Sequence, residues 1–196
     1  MFSIPKNRKT LLFILAIGSP IAFSVWQALL NNFAVEVANF GGKEIGMLQS
    51  LREVPGFLAF TVVFLLLIIR QQNFAILSLI ILGIGTALTG FFPSIIGLYI
   101  TTVTMSIGFH YLETLRSSLS LQWLSKDEAP RVLGKLLSVH SASTLVVLSI
   151  LYIVVFMFEP NYPWLYAIAG FVTVIIGILC YFSFPQFSEI VEQRKD

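Results

Sequence analysis

Between Thr10 and Val35 the chain carries no charged side chain, and similar runs recur as far as Phe184. A bilayer's hydrocarbon core, about 30 Å thick, takes about 20 apolar residues of helix to cross. Only structures that pair their own backbone groups are stable there. Ile45 to Ile69 is a second such run, broken by Arg52 and Glu53 alone. From Gln71 to Leu112 the one basic or acidic group is His110, and the stretch is long enough for two spans. Phe91-Phe92-Pro93-Ser94 is the turn signal that divides it. Leu136 to Phe158 and Pro163 to Phe184 complete the set, separated by Glu159-Pro160-Asn161-Tyr162-Pro163. The sequence predicts an all-α polytopic membrane protein with spans at about 10–35, 45–69, 73–91, 94–122, 132–158 and 163–184. Residues 1–187 form one six-helix domain, and 188–196 a cytoplasmic tail or the start of a linker.

Composition excludes the alternatives. Apolar residues make up 57% and charged ones 11%, where a soluble domain carries about a quarter charged residues. No basic patch interleaved with aromatics offers a nucleic-acid surface, so the expected surroundings are lipid. Cys180 is the single cysteine and lies in an apolar run, which leaves it a packing role and rules out a disulfide framework. Lys6-Asn7-Arg8-Lys9 ahead of an apolar stretch has the outline of a signal peptide. The stretch is too long and lacks a small-residue cleavage site, so it reads as a retained first helix.

Basic residues set the expected orientation. Lys6, Arg8, Lys9, Arg70, Lys126, Arg131, Lys135, Arg194 and Lys195 fall at the termini and in alternate loops, and only Lys43 falls opposite. Both termini are therefore expected in the cytoplasm of a cell-membrane protein.

Ionisable groups at bilayer depth are costly, about 2.5–3.5 kcal/mol each on insertion scales. On helix four, Thr102, Ser106, His110, Glu113, Thr114, Ser117 and Ser120 share an arc of about 120°. Such a stripe must face protein or a water-filled cavity. Glu113 can pair with His110 or with Arg116, each three residues away. The set is either a neutralised clamp between helices or a cavity lining that carries protons. Helix one repeats the pattern with Pro20, Ser24, Gln27 and Asn31 on one face and Trp26 beside it. On helix two, Gln49, Glu53 and Gly56 share a face next to Arg52, where a structural ion pair is expected. On helix five, His140, Ser143 and Thr144 cluster at a depth close to Glu113 and Arg116. Helices three and six hold Gly83, Gly85, Ala87, Gly90, Ala167, Gly170 and Gly177, small residues that let backbones approach. Polar, mixed, packing is thus the order in both halves, as in two inverted three-helix repeats.

With Gly46-Met47-Leu48-Gln49-Ser50-Leu51-Arg52-Glu53-Val54-Pro55-Gly56 on helix two and Pro130-Arg131-Val132-Leu133-Gly134-Lys135 opening helix five, the chain resembles the N-terminal six-helix half of a major facilitator superfamily transporter. The resemblance covers essentially the whole chain. It implies that helices one and four line a central path, that three and six are peripheral, and that a second six-helix half faces the path. The 2–3 loop, Ile69-Arg70-Gln71-Gln72-Asn73, lacks the family's Asp and Gly signature. The tail resembles the opening of that family's central linker, as in a truncated transporter or a half-size protein that pairs.

The expected function is secondary active transport of a small solute, proton-coupled through Glu113 and His110. Other candidates for the path are Arg52, Glu53, Thr114, Arg116, Gln27, Asn31, Trp26 and His140. No cofactor or metal is expected, since no HExxH motif accompanies His110-x-x-Glu113. The absence of Gly-x-Ser argues against an intramembrane serine protease, and of Asn-Pro-Ala against a water channel. The rival reading is a membrane interaction or assembly protein that moves no solute.

Overall fold

The computed structural model describes residues 5–188, so the expected tail, Arg194 and Lys195 included, lies outside the described residues except for Ser188. Six helices are long and apolar enough to cross a membrane: α1 (Arg8–Glu36), α2 (Gly42–Leu65), α3 (Gln71–Thr89), α4 (Ile95–Trp123), α5 (Ala129–Phe158) and α6 (Tyr162–Ser183). No strand occurs among the described residues.

The helix ends follow local chemistry. Asn7 caps α1, its side-chain oxygen accepting from the Thr10 N–H at 2.9 Å, and Ser94 caps α4 by accepting from the Gly97 N–H at 3.1 Å. Glu44 turns back to accept from the Gly41 N–H at 3.0 Å at the start of α2. Asn39 and Glu159 take left-handed backbone conformations, φ 55° and 44°, in the α1–α2 and α5–α6 turns.

Two boundaries depart from the sequence reading. The second span begins at Gly42 and is helical only to Leu65, with a 3₁₀ turn at Leu58–Thr61 after Pro55. Proline lacks the N–H that a regular helix donates to the carbonyl four residues back. The fifth span begins three residues early, at Ala129-Pro130, because proline is tolerated in the first turn. α1, by contrast, runs unbroken through Pro20.

α3 is the centre of the packing: it lies against α4, α6 and α1. α1 also packs on α5 and α6, and α2 packs chiefly on α4. The glycines expected to pack do so. A Cβ on Gly83 would stand 2.7 Å from the Gly170 carbonyl oxygen, and one on Gly90 would strike Pro163. Gly108 of α4 sits in the same way against the backbone of α3 at Leu82. α2 and α5 are the least buried helices; their apolar side chains, such as Phe57, Phe64, Leu145 and Phe156, point away from the bundle.

Basic groups gather at one end. There Lys9 meets Glu128 at 2.5 Å, and Arg8 reaches the Ser188 hydroxyl at 2.5 Å. The 2–3 connection has a structural task at this end. Buried Gln72 donates to the Pro185 carbonyl and accepts from the Phe187 N–H, both at 3.0 Å, and Gln186 donates to Asn73 at 2.6 Å. The segment after α6 is thereby fastened across the start of α3.

Candidate functional site

α2 and α4 run side by side in the same direction and are joined by polar contacts along their length. Tyr99 donates to the Glu44 carbonyl at 3.3 Å, Ser106 donates to the Arg52 carbonyl, and the Thr61 and Tyr111 hydroxyls lie 2.6 Å apart. Between these contacts the His110 ring lies over Gly56, where an added Cβ would come within 2.7 Å of its Cε1. Glycine at 56 is what admits the imidazole.

Beside that ring is a cavity of about 230 Å³ between α1, α2 and α4, lined by Phe23, Gln27, Arg52, Glu53, Phe109 and His110. Arg52 donates through both Nε (2.9 Å) and Nη2 (2.6 Å) to one Glu53 oxygen, Oε1. Glu53 Oε2 is 3.9 Å from His110 Nε2, too far for a hydrogen bond. Glu53 is the most open of the three, its side chain 59% exposed against 23% for His110. Phe23 and Phe109 stack with centroids 4.0 Å apart and planes 10° from parallel, forming an aromatic wall.

A second charged group lies between α4 and α5. Arg116 donates to Glu113 Oε2 at 2.6 Å. Of the two partners open to Glu113, the guanidinium takes it, and His110 turns to Glu53 instead. Arg116 is permanently charged and its planar fork suits a carboxylate. His140 lies within electrostatic reach of both Glu113 and Arg116, as its depth predicts. Glu113 Oε1, Arg116 Nη1 and His140 Nδ1 are all buried without a hydrogen-bond partner among the described residues. His110 is within electrostatic reach of Glu53, Arg52 and Glu113, so it stands between the two charged groups.

The other expected path residues are scattered. Trp26 is fully buried and packs beside Phe23 at 6.4 Å; it belongs to the core rather than to the cavity lining. Asn31 is exposed and lies outside the cavity. The Thr114 hydroxyl donates to the His110 carbonyl at 2.9 Å, and the residue faces a separate, mostly apolar groove of about 260 Å³ beside the end of α2. The helix-four stripe is therefore divided: Thr102, Ser106 and Ser120 are buried, whereas Thr114 and Ser117 are open. The polarity of a helix face does not mark Phe23 and Phe109, since by polarity alone aromatics belong to lipid. Phe23 stands four residues before Gln27 and so shares its helix face, which is the signal for Phe23; Phe109 has no such signal in the sequence.

No family model, no curated protein and no solved structure matches the chain, so no family is assigned by comparison.

Proposed function

We propose that this bundle is one six-helix half of a secondary transporter for a small solute, with the cavity between α1, α2 and α4 as part of the solute path. The observation that carries the reading is the cavity: an ion pair, an imidazole and an amide at the depth of the spans, against an aromatic wall. Charges are retained at that depth where they handle polar cargo or protons. The neighbour pattern is consistent with two three-helix repeats. Exchanging helices one to three with four to six turns the α2–α4 contact into α5–α1, and α3–α4 into α6–α1, and all four contacts occur, although the α1–α3 contact has no comparable counterpart between α4 and α6. A second six-helix half, from a continuation of the same chain, a second copy or a partner, closes the open side of the cavity.

His110 is the coupling group, and the groups facing it are Glu53, Arg52 and Glu113. Glu113 is held by Arg116 at 2.6 Å. The basic end of the bundle faces the cytoplasm. Cysteines introduced as Asn161→Cys and Asp127→Cys test that orientation, and only the first should react with an impermeant reagent outside intact cells.

Function is tested by reconstituting the 196-residue chain in liposomes with an acid-outside gradient. Amino acids, sugars, organic acids and nucleosides are then offered in turn. One class should discharge the gradient, His110→Gln should abolish that discharge, and the active species should be an oligomer. If no class moves protons or solute, the interaction-protein reading takes its place. A strictly monomeric chain that moves solute would overturn the need for a second half.

A further inference from the structure

The two charges in the cavity satisfy each other poorly. Adjacent helical residues do not face one another, yet Arg52 and Glu53 are paired, with Nε and Nη2 both on a single oxygen. The remaining atoms are free: Arg52 Nη1 has no hydrogen-bond partner among the described residues, and Glu53 Oε2 has only the 3.9 Å approach of His110. A guanidinium matches a carboxylate through two parallel bonds to two oxygens, which this arrangement does not supply. Glu53 Oε2 and His110 Nε2, 3.9 Å apart, are a spacing that one ammonium spans with two of its three donors when the imidazole carries its proton on Nδ1. The cavity thus has a free donor for an anion and a free acceptor pair for a cation.

Net charge narrows the class further. Arg52 and Glu53 cancel, so a solute of single charge would sit at membrane depth uncompensated, which low-dielectric surroundings oppose. A solute with both charges keeps the sum at zero. Phe23 and Phe109, stacked on each other, bring aromatic surface to the cavity lining, and aromatic surface favours flat apolar groups. At about 230 Å³, the cavity is smaller than the roughly 300–1,000 Å³ of pockets for drug-sized ligands.

We infer that the cavity binds a small zwitterion bearing a planar apolar group, of the chemistry and size of an aromatic amino acid. Its carboxylate takes the free Arg52 Nη1, its ammonium sits between Glu53 Oε2 and His110 Nε2, and its ring packs against Phe23 and Phe109. This deepens the solute-path reading and rests on it for physiological meaning, but binding can be measured without transport.

The test titrates the purified full chain in detergent by calorimetry with phenylalanine, phenylalaninamide, N-acetylphenylalanine and glycine. Phenylalanine should bind at least tenfold more tightly than the amide, the N-acetyl compound or glycine. This comparison needs no variant, so it does not depend on a mutant folding. Arg52→Gln should weaken phenylalanine at least tenfold while leaving the amide within twofold, and Phe23→Leu should reduce the advantage over glycine. Equal binding of either blocked compound overturns the proposal, as does binding of none of the four. The two readings fail separately: phenylalanine binding without flux removes the transporter, whereas flux of another class without phenylalanine binding removes only this site.

Discussion

The α3–α6 seam and the α2–α4 seam hold the same bundle together by opposite means. Along α3 and α6 the backbones touch through glycines: Gly83 faces Gly170, Gly177 faces Ile80, and Gly90 faces Pro163. No salt bridge joins those two helices among the described residues. Along α2 and α4, hydroxyls meet carbonyls or one another, and a histidine fills the one gap that a glycine opens. In lipid, apolar side chains gain little by leaving their surroundings, so association falls to close packing or to hydrogen bonds. The first means gives a seam with no room in it. The second leaves space beside the helices, and the cavity lies there.

The largest effect expected from breaking this contrast is at Gly83. Even a methyl group there would press on the Gly170 carbonyl at 2.7 Å and on Val174 Cγ2 at 2.8 Å. Gly83→Leu adds three more carbons to a site with no space. Overpacking of this kind costs about 1–3 kcal/mol and at times more. The variant should lose most of its monodisperse, helical material in detergent. Wild-type yield and melting would show that the seam is not the frame of the bundle.

A smaller and more specific effect belongs to Gly56. Gly56→Ala should push the imidazole out of place and cost less than Gly83→Leu, because the obstructing atoms are the tip of a side chain rather than backbone. In the His110→Ala background the same change should cost much less, since the obstructing ring is gone. A double-mutant cycle on unfolding free energies measures the coupling. Additive values would mean that Gly56 is not there for His110.

The hydroxyl pair Thr61 and Tyr111 should matter less again. Interhelical hydrogen bonds in membranes average about 0.6 kcal/mol in such cycles. Tyr111→Phe should show a loss of that order; Thr61→Val also gives up the bond that its hydroxyl donates to the Leu58 carbonyl at 2.7 Å, and the double variant should lose no more than Thr61→Val alone. A coupling above about 2 kcal/mol would make this contact a main fastening of α2 to α4.

Much of the frame was legible in the sequence because a span announces itself by length and apolarity. The glycine helices were legible as well, since small residues at bilayer depth have few uses besides close approach. The partners of the polar groups were not. Helical periodicity gives the direction in which His110 points, but it does not say that α2 lies there, nor that Gly56 makes room. Glu113 had two local candidates at equal spacing, and side-chain chemistry chose Arg116. The Arg52–Glu53 ion pair, by contrast, was expected and is present at 2.6 Å, whereas Phe23 with Phe109 was hidden by the assumption that aromatics face lipid. Cavities arise between elements, and a single helix face does not report them.

The smallest effect concerns an exposed contact remote from both seams, and it separates surface charge from the charges at bilayer depth. Lys9 Nζ lies 2.5 Å from Glu128 Oε2, tying the start of α1 to the start of α5. The Lys9 ammonium, and secondarily the Ser125 N–H, hold the Glu128 carboxyl below its ordinary value of 4.5. A carboxyl with a depressed pKa in the folded state stabilises that state above its unfolded pKa, and the benefit is lost as pH falls through the folded pKa. The wild type should therefore melt slightly above Glu128→Gln at pH 7, and the gap should close as the pH is taken well below 4.5. Both side chains are substantially exposed, 48% and 35%, so salt should also shrink the gap, the screening length being about 3 Å at 1 M. If the Lys9–Glu128 gap persisted in acid or at high salt, this contact would be acting through packing rather than charge.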